Sequence, residues 1–156
     1  MSAEFEELKE ECGVFGIWGN DAAAQLAYYG LHAMQHRGQE GAGIVTTDGE
    51  GLRVVKGEGL VNEVFSDQNL ETLEGFAAIG QNRYTTEEGR GIENVQPLVF
   101  RSTTGSLAIG MNGNLVNARD LRASLEQQGS IFQTNSDTEV LAHLIKRSRG
   151  ALNQRE

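Results

Sequence analysis

The residues that could perform chemistry begin with Cys12, the only cysteine of the chain, which opens the apolar run from Cys12 to Trp18. A free cysteine is commonly a small buried hydrophobic residue, and that is the ordinary interpretation. Cleavage after Glu11 would instead make the Cys12 thiol a nucleophile and its own α-amino group the activating base. The rest of the sequence has to decide between these two interpretations.

Three further polar positions could contribute to the same chemistry. They are Arg83, the pair Asn112-Gly113 (called the oxyanion turn below) and Asp137, and each lies where a predicted strand or helix begins or ends. Each also has an ordinary structural explanation: a surface ion pair for Arg83, a sharp turn for Asn112-Gly113, and support of a helix N-terminus for Asp137.

Taken together, these residue types can perform acyl transfer. A thiolate attacks an amide carbonyl, and the Asn112 side-chain amide with the Gly113 N–H stabilises the tetrahedral oxyanion. The Arg83 guanidinium suits an α-carboxylate because it binds it bidentately, and the Asp137 carboxylate suits an α-ammonium. The substrate that fits is glutamine. No spacing in the sequence enforces this grouping, so the structural explanations stay open at this point.

Length and composition exclude several classes of protein. The 156 residues suit one domain, and 38% hydrophobic with 22% charged residues is typical of a soluble globular chain. The net charge of −9 and the absence of a Lys/Arg cluster argue against nucleic acid as a partner. No apolar run reaches the roughly 18 residues of a membrane helix, and MSAEFEELKEE lacks the features of a secretory signal. A single cysteine permits no internal disulfide, which suits a reducing compartment. Without a secretory signal or a membrane helix, we predict a cytoplasmic protein by default.

The first half of the chain alternates strands with one long helix. A strand over 12–18 precedes a helix that begins at a cap, Asn20 or Asp21, and extends to about His36. Strands are predicted over 44–47, 52–56 and 76–84, with a hairpin turn at Asp48-Gly49 and short helical turns over 60–73. The residues of the long helix expected to face the core are Leu26, Tyr29, Ala33 and Met34.

The second half continues the mixed pattern. A hairpin is predicted from 98–102 and 107–111, and a helix capped by Asn117 over 118–128. Ile131-Phe132 is expected to form a short buried strand, and Ser136 with Glu139 a capping box that opens a last helix. Strands joined by turns, with helices between groups of strands, predict an α+β fold.

A glycine-rich segment, Gly38 to Gly43, precedes the second strand. We expect it to form a tight loop. Such a loop could cradle a phosphate, but the segment lacks the Gly-Lys-Ser/Thr ending of a P-loop, so phosphate binding is a weak alternative.

Several strings carry a family resemblance over about residues 11–149. The most specific are CGVFGI at 12–17, QHRGQEGAGI at 35–44, ENVQPL at 93–98, NGNLVN at 112–117 and SDTEV at 136–140. On these strings the chain resembles the N-terminal glutaminase domain of the amidophosphoribosyltransferases. The resemblance implies an N-terminal-nucleophile fold, an α/β/β/α sandwich with mainly antiparallel sheets, incomplete at the C-terminus. It also implies a propeptide over 1–11 and a partial type-2 glutamine amidotransferase domain over 12–156.

The resemblance assigns roles to single residues. It makes Cys12 the nucleophile and the oxyanion turn the oxyanion hole, while Arg83 and Asp137 bind the α-carboxylate and α-amino group of glutamine. It places Arg37 beside the nucleophile and Thr86 in a loop that closes over glutamine. The implied enzyme hydrolyses glutamine and passes ammonia to a phosphoribosyltransferase domain, absent from this chain, which converts phosphoribosyl pyrophosphate to phosphoribosylamine in purine biosynthesis.

The resemblance also implies cofactors and assembly. No metal or cofactor is expected in this chain; Mg²⁺ and any 4Fe–4S cluster of the full-length enzyme would be bound by the absent part. The expected partners are glutamine and the transferase domain, in a homo-oligomer when full length, without nucleic acid or membrane.

The sequence departs from the family pattern near the predicted site. Gln81 and Met111 stand where the family usually has histidine, and Glu87-Glu88 stand where it usually has small residues. The alternative is therefore a glutaminase fold with a degraded site that acts only by association.

Overall fold

The computed structural model describes residues 12–84 and 91–153, with side chains described as far as residue 148. The predicted propeptide, residues 1–11, lies outside the described residues. The strands are β1 (Gly13–Trp18), β2 (Gly41–Thr47), β3 (Leu52–Glu58), β4 (Ala77–Arg83), β5 (Leu98–Ser102) and β6 (Gly105–Ile109). The α-helices are α1 (Ala23–Ala33), α2 (Val61–Val64), α3 (Asp67–Leu70), α4 (Ala118–Gln127) and α5 (Asp137–Asn153). Single 3-10 turns occupy Gln35–Arg37 and Ile92–Asn94.

The strands form two antiparallel sheets. The first has four strands in the order β1-β4-β2-β3, and the second is the two-stranded hairpin β5-β6. Strand β4 is paired on both sides, with Gln81 opposite Val14 of β1 and Gly43 of β2. Strands β4 and β2 are therefore the two central strands of the first sheet.

Helix α1 covers one face of the four-stranded sheet through small residues. Ala23, Ala27 and Leu31 are fully buried in the core cluster. A Cβ added at Gly30 would lie 2.4 Å from the Phe15 ring, so the helix approaches the sheet more closely than a larger residue would allow. The alanine face gives the closest packing, and this decides which side of α1 is buried.

The predicted core face of α1 was therefore wrong at three of its four positions. Leu26 and Tyr29 are 36% and 66% exposed, and Ala33 is also exposed. Only Met34 packs against the core cluster. The apolar residues of this helix fitted either of two faces as the core face. The aromatic Tyr29 favoured the face that the structure leaves exposed.

The opposite face of the sheet meets the second layer at the segment that leads into β5. The Gln96 carbonyl packs onto Gly43, where an added Cβ would lie 2.3 Å from its oxygen. Helix α5 packs on the β5-β6 hairpin and α4 packs on α5. The order of layers is thus helix, sheet, sheet and helix, as predicted.

The glycine-rich segment does not form the predicted loop over its full length, because β2 already begins at Gly41. Gly41 and Gly43 pair with both β3 and β4, which occupies backbone groups that a phosphate would need. Each of the three glycines lies against another segment: Gly38 against Arg83, Gly41 against Val95, and Gly43 against Gln96. Close packing explains the glycines without a phosphate ligand, so these contacts give the phosphate-binding alternative no support.

Two local predictions in the second half were also wrong. Residues 131–132 form no strand, and Ile131 is 82% exposed. The Phe132 ring instead lies under the Arg122 guanidinium, 4.0 Å from its carbon, and 4.6 Å from the His143 ring.

The capping box at α5 is only half formed. Ser136 Oγ accepts from the Thr138 N–H at 3.2 Å. The buried Glu139 carboxylate bonds instead to the N–H groups of Gln133 and Thr134 and to the Thr134 hydroxyl. Glu139 therefore holds the loop before the helix.

Within residues 12–84 and 91–153, no helix is long and apolar enough to cross a membrane.

Candidate active site

Cys12 lies immediately before β1 and is held through its main chain. Its N–H donates to the Arg37 carbonyl at 2.9 Å, and Arg37 Nε donates back to the Cys12 carbonyl at 2.8 Å. The φ of Cys12 is +63°, a left-handed conformation that is costly for a residue with a Cβ. The two hydrogen bonds and this backbone angle fix the main chain of Cys12.

The thiol itself lies at the end of β4. The Tyr84 N–H donates to Cys12 Sγ at 3.4 Å, and the Sγ–H donates to the Tyr84 carbonyl at 3.6 Å. Cys12 is half-buried. Since Tyr84 follows Arg83 directly, the candidate nucleophile and the candidate carboxylate ligand are brought to the same end of the sheet.

Arg83 ends β4, opposite Gly41 of β2, and is half-buried. Burial lowers the pKa of its guanidinium below the ordinary value, while the electrostatic interactions of Arg83 with nearby acidic groups, Glu40 among them, act in the opposite direction. A partly desolvated cation of this kind binds a carboxylate more strongly than one in open solvent.

The oxyanion turn lies beside Cys12, across a separation of 100 residues. Asn112 Nδ2 donates to the Cys12 carbonyl at 3.3 Å. Gly113 has a φ of +123°, and an added Cβ would meet nothing within 4 Å. Glycine is required there by the backbone conformation and not by lack of space.

Asp137 is the first residue of α5 and contacts the same loop. Its Oδ2 accepts a hydrogen bond from the Leu115 N–H at 2.8 Å. The carboxylate is half-buried. The residue predicted to bind the α-ammonium is thus attached to the segment that follows the oxyanion turn.

The structure therefore groups most of the predicted residues. Cys12, Arg37, Asn112 and Tyr84 (next to Arg83) are joined by direct hydrogen bonds. Asp137 is joined to the loop that contains the oxyanion turn. Thr86 and the Glu87-Glu88 pair lie outside the described residues.

Sequence reasoning missed a set of buried amides around this site. Asn82 is fully buried and donates to the carbonyls of Leu31 and Met34, at 3.3 and 2.7 Å, so it caps the C-terminal end of α1. Gln81 and Gln96 both bond to the main chain of Met111. The available signal was the polar pair Gln81-Asn82 inside an otherwise apolar strand.

In the stretches 12–84 and 91–153, no group of three or more His, Cys, Asp or Glu residues is placed to hold a metal ion.

Comparison with known proteins decides the family. A family model described as a glutamine amidotransferase domain matches residues 86–155. An amidophosphoribosyltransferase of Lacticaseibacillus casei is 54% identical over 151 residues, which are 96% of this chain and 78% of that protein. The chain belongs to the amidophosphoribosyltransferase family. It corresponds to the glutamine amidotransferase domain of that family.

Two longer amidophosphoribosyltransferases are matched by this chain over only part of their length. That of Bacillus subtilis (strain 168) is 65% identical over 149 residues, covering 95% of this chain. That of Staphylococcus aureus (strain MRSA252) is 53% identical over 146 residues. The chain spans only 31% and 30% of these two relatives.

Solved structures of the family support the same fold. The glutamine phosphoribosylpyrophosphate amidotransferase of B. subtilis, complexed with ADP and GMP, matches with a TM-score of 0.81 and 64% identity, covering 86% of this chain and 29% of that one. A structure described as the allosteric regulatory enzyme of purine biosynthesis matches with a TM-score of 0.83, 65% identity and the same coverage. The predicted fold class, an α+β N-terminal-nucleophile sandwich with mainly antiparallel sheets, is confirmed.

Proposed function

We propose that this chain is the glutaminase part of an amidophosphoribosyltransferase. It hydrolyses glutamine to glutamate and ammonia, and a phosphoribosyltransferase domain of the whole protein uses the ammonia to convert phosphoribosyl pyrophosphate to phosphoribosylamine. One observation carries the proposal: the Cys12 thiol bonds to Tyr84, next to Arg83, while the Cys12 carbonyl bonds to Asn112. Three segments far apart in sequence thus meet at one sulfur-bearing residue.

The reaction begins with activation of the thiol. Once residues 1–11 are removed, the Cys12 nitrogen is a free amine that can take the thiol proton. That nitrogen lies 2.9 Å from the Arg37 carbonyl, which orients it. The thiolate then attacks the side-chain carbonyl carbon of glutamine, and the carbonyl oxygen becomes an oxyanion.

The oxyanion turn stabilises that charge. Asn112 Nδ2 carries two N–H groups, so it can hold the Cys12 carbonyl with one and donate to the oxyanion with the other. The Gly113 N–H supplies a second donor. Each such donor contributes about 3–4 kcal/mol of transition-state stabilisation.

Collapse of the intermediate breaks the carbon–nitrogen bond. The ammonium of Cys12 returns its proton to the departing nitrogen, which leaves as ammonia and gives a thioester on Sγ. Water, deprotonated by the same amine, then attacks the thioester. Glutamate leaves, and the thiol is restored.

Recognition of glutamine uses charges of both signs. Arg83 holds the α-carboxylate and Asp137 the α-ammonium, so the substrate is bound as a zwitterion. Thr86 and Arg37 complete the proposed contacts. The association-only alternative is not favoured, because the chain is 65% identical to the B. subtilis enzyme over 149 residues.

Covalent labelling tests the proposal. The protein is treated with a glutamine analogue whose side-chain amide is replaced by a diazomethyl ketone, the adduct is located by mass spectrometry, and the same spectrum reads the N-terminus. We expect an adduct on Cys12 of a chain that begins at Cys12, with none on Cys12→Ala. A matched analogue shorter by one methylene should label far more slowly. No adduct on Cys12, with residues 1–11 still attached, would reject the proposal.

A further inference from the structure

Two buried glutamine side chains bond to the residue that precedes the oxyanion turn. Gln81 Nε2 donates to the Met111 carbonyl at 2.6 Å. Gln96 Oε1 accepts from the Met111 N–H at 2.8 Å. Both backbone polar groups of Met111 are therefore held by side chains from other segments.

These bonds fix two successive peptide planes. The Met111 carbonyl belongs to the plane shared with Asn112, and the Met111 N–H belongs to the plane shared with Gly110. Because each peptide unit is planar, a hydrogen bond to the Met111 carbonyl and another to its N–H restrict both the φ and the ψ of Met111. The chain can then enter the oxyanion turn in only one direction.

Both glutamines are themselves anchored. Gln81 is 1% exposed and lies in β4, which is paired on both sides. Gln96 is 8% exposed, and its carbonyl packs onto Gly43. The two bonds thus attach the residue before the oxyanion turn to the sheet in which Arg83 ends β4.

The Gln81 amide donates a hydrogen bond to Met111 but leaves its own oxygen, Oε1, buried without a partner among the described residues. A buried unpaired acceptor is destabilising. A side chain kept at such a position for stability alone would be better apolar, so its donor has another use.

We propose that Gln81 and Gln96 form a clamp on Met111 and act as positioning residues for the oxyanion turn. This inference rests on the proposed glutaminase function. The clamp acts through the orientation of the Asn112 side chain and the Gly113 N–H, and it does not touch the substrate. The clamp gives a shared function to Gln81 and Met111, the two residues that stand where the family usually has histidine.

Steady-state glutamine hydrolysis by the processed full chain tests the clamp. Gln81→Leu removes the donor with little change of volume, and Gln96→Met removes the acceptor. We expect each to lower kcat about 10- to 100-fold, because a small misplacement of donors affects the transition state, with KM within about twofold. Gln81→His supplies an N–H at a similar reach and should recover most of the loss.

Two measurements separate positioning from general damage. Alkylation of Cys12 by iodoacetamide develops no oxyanion, so its rate should be unchanged in both variants. Hydrogen exchange at the Met111 amide should become faster in Gln96→Met. The control is Thr46→Val, which removes a buried hydrogen bond to the Glu74 carbonyl, 2.9 Å long, elsewhere in the same sheet. It should lower Tm without lowering kcat.

The outcomes are distinct. Unchanged kcat in both glutamine variants, or a loss equal to that of Thr46→Val, would overturn the clamp and leave the proposed function intact. A rise in KM with kcat unchanged would also overturn it. A parent protein that neither turns over glutamine nor accepts the label on Cys12 would reject the proposed function, and with it the positioning role of both glutamines.

Discussion

Cys12 and Arg37 are joined by a reciprocal pair of hydrogen bonds, from the Cys12 N–H to the Arg37 carbonyl at 2.9 Å and from Arg37 Nε to the Cys12 carbonyl at 2.8 Å. The pair holds the nitrogen that becomes the proposed base and the carbonyl of the same residue. Arg37 therefore acts on Cys12 through its main chain, whereas the resemblance indicated only that it lies nearby.

Replacement of Arg37 tests this contact. A hydrogen bond from a charged donor contributes about 1.5–3 kcal/mol, so Arg37→Met should slow labelling of Cys12 by the glutamine analogue at least tenfold. Arg37→Lys should recover only part of the rate, because an ammonium cannot reproduce the planar Nε–H geometry. Arg53→Met, which removes a surface pair with Asp48, is the matched control and should leave the rate unchanged. Equal rates in Arg37→Met and the parent would contradict the prediction.

The role of Arg83 predicts a dependence on the substrate carboxylate. Arg83→Met should raise KM for glutamine about 30-fold or more, the equivalent of roughly 2 kcal/mol for a lost partner of a desolvated charge pair. With 4-aminobutanamide, which lacks the α-carboxylate, kcat/KM should change by less than about threefold. Steady-state assays of both substrates decide the matter. An equal loss with the two substrates would mean that Arg83 acts on the fold or the thiol instead.

Gly38 provides a prediction about packing under the site. A Cβ at Gly38 would lie 2.6–2.8 Å from backbone atoms of Arg83, which cannot move aside as a flexible side chain can. Gly38→Ala should lower the free energy of unfolding by about 1–3 kcal/mol and raise KM for glutamine. Gly51→Ala is the control, since a Cβ there would meet nothing within 4 Å. Urea unfolding and glutamine assays measure both effects, and unaltered stability of Gly38→Ala would refute the close contact.

The turn between β2 and β3 predicts a dependence of stability on pH. The Arg53 guanidinium, bonded to Asp48 at 2.7 Å, and then the N–H groups of Glu50 and Gly51 hold the pKa of the Asp48 carboxyl well below its ordinary value of 3.8. The stabilisation is complete above the unfolded pKa and is lost as the pH falls toward the folded pKa. Asp48→Asn should therefore be less stable than the parent at pH 6.

The difference between the two proteins should shrink below about pH 3.8, because the parent then loses the same contribution. Urea midpoints measured at pH 6 and pH 3 provide the comparison. A constant difference across this range would show that the carboxylate charge is not responsible.

The sequence supports most of the fold because its signals are local. The Asp48-Gly49 turn, the two hairpins and the start of α5 near Ser136 follow from turn and capping residues. The core face of α1 was predicted wrongly, since its pattern fitted two faces and only contact with Phe15 shows that the alanine face is buried. Glu139 was expected to complete the capping box of α5, but its buried carboxylate accepts hydrogen bonds from the N–H groups of Gln133 and Thr134 instead.

For the site, the residue types alone predicted the chemistry. Only the spatial contacts show which buried amides hold the site residues in place. The sequence allowed four site residues to be selected, because a thiol, a guanidinium, an amide and a carboxylate match one substrate: Cys12, Arg83, Asn112 and Asp137. The sequence did not allow the buried amides to be selected, because a glutamine or asparagine has no preferred function until its partner is known; these are Gln81, Asn82 and Gln96.

The sequence by itself determined which groups are available and the local turns that expose them, since side-chain chemistry and backbone preference are properties of single residues and their neighbours. The tertiary structure alone decided that residue 12 meets residues 84 and 112, and that Met111 is held from two sides. Hydrogen bonds act over about 3 Å, so such contacts depend on the register of β1 against β4 and on the packing of Gln96 on Gly43. No pattern along the chain encodes those two relationships directly.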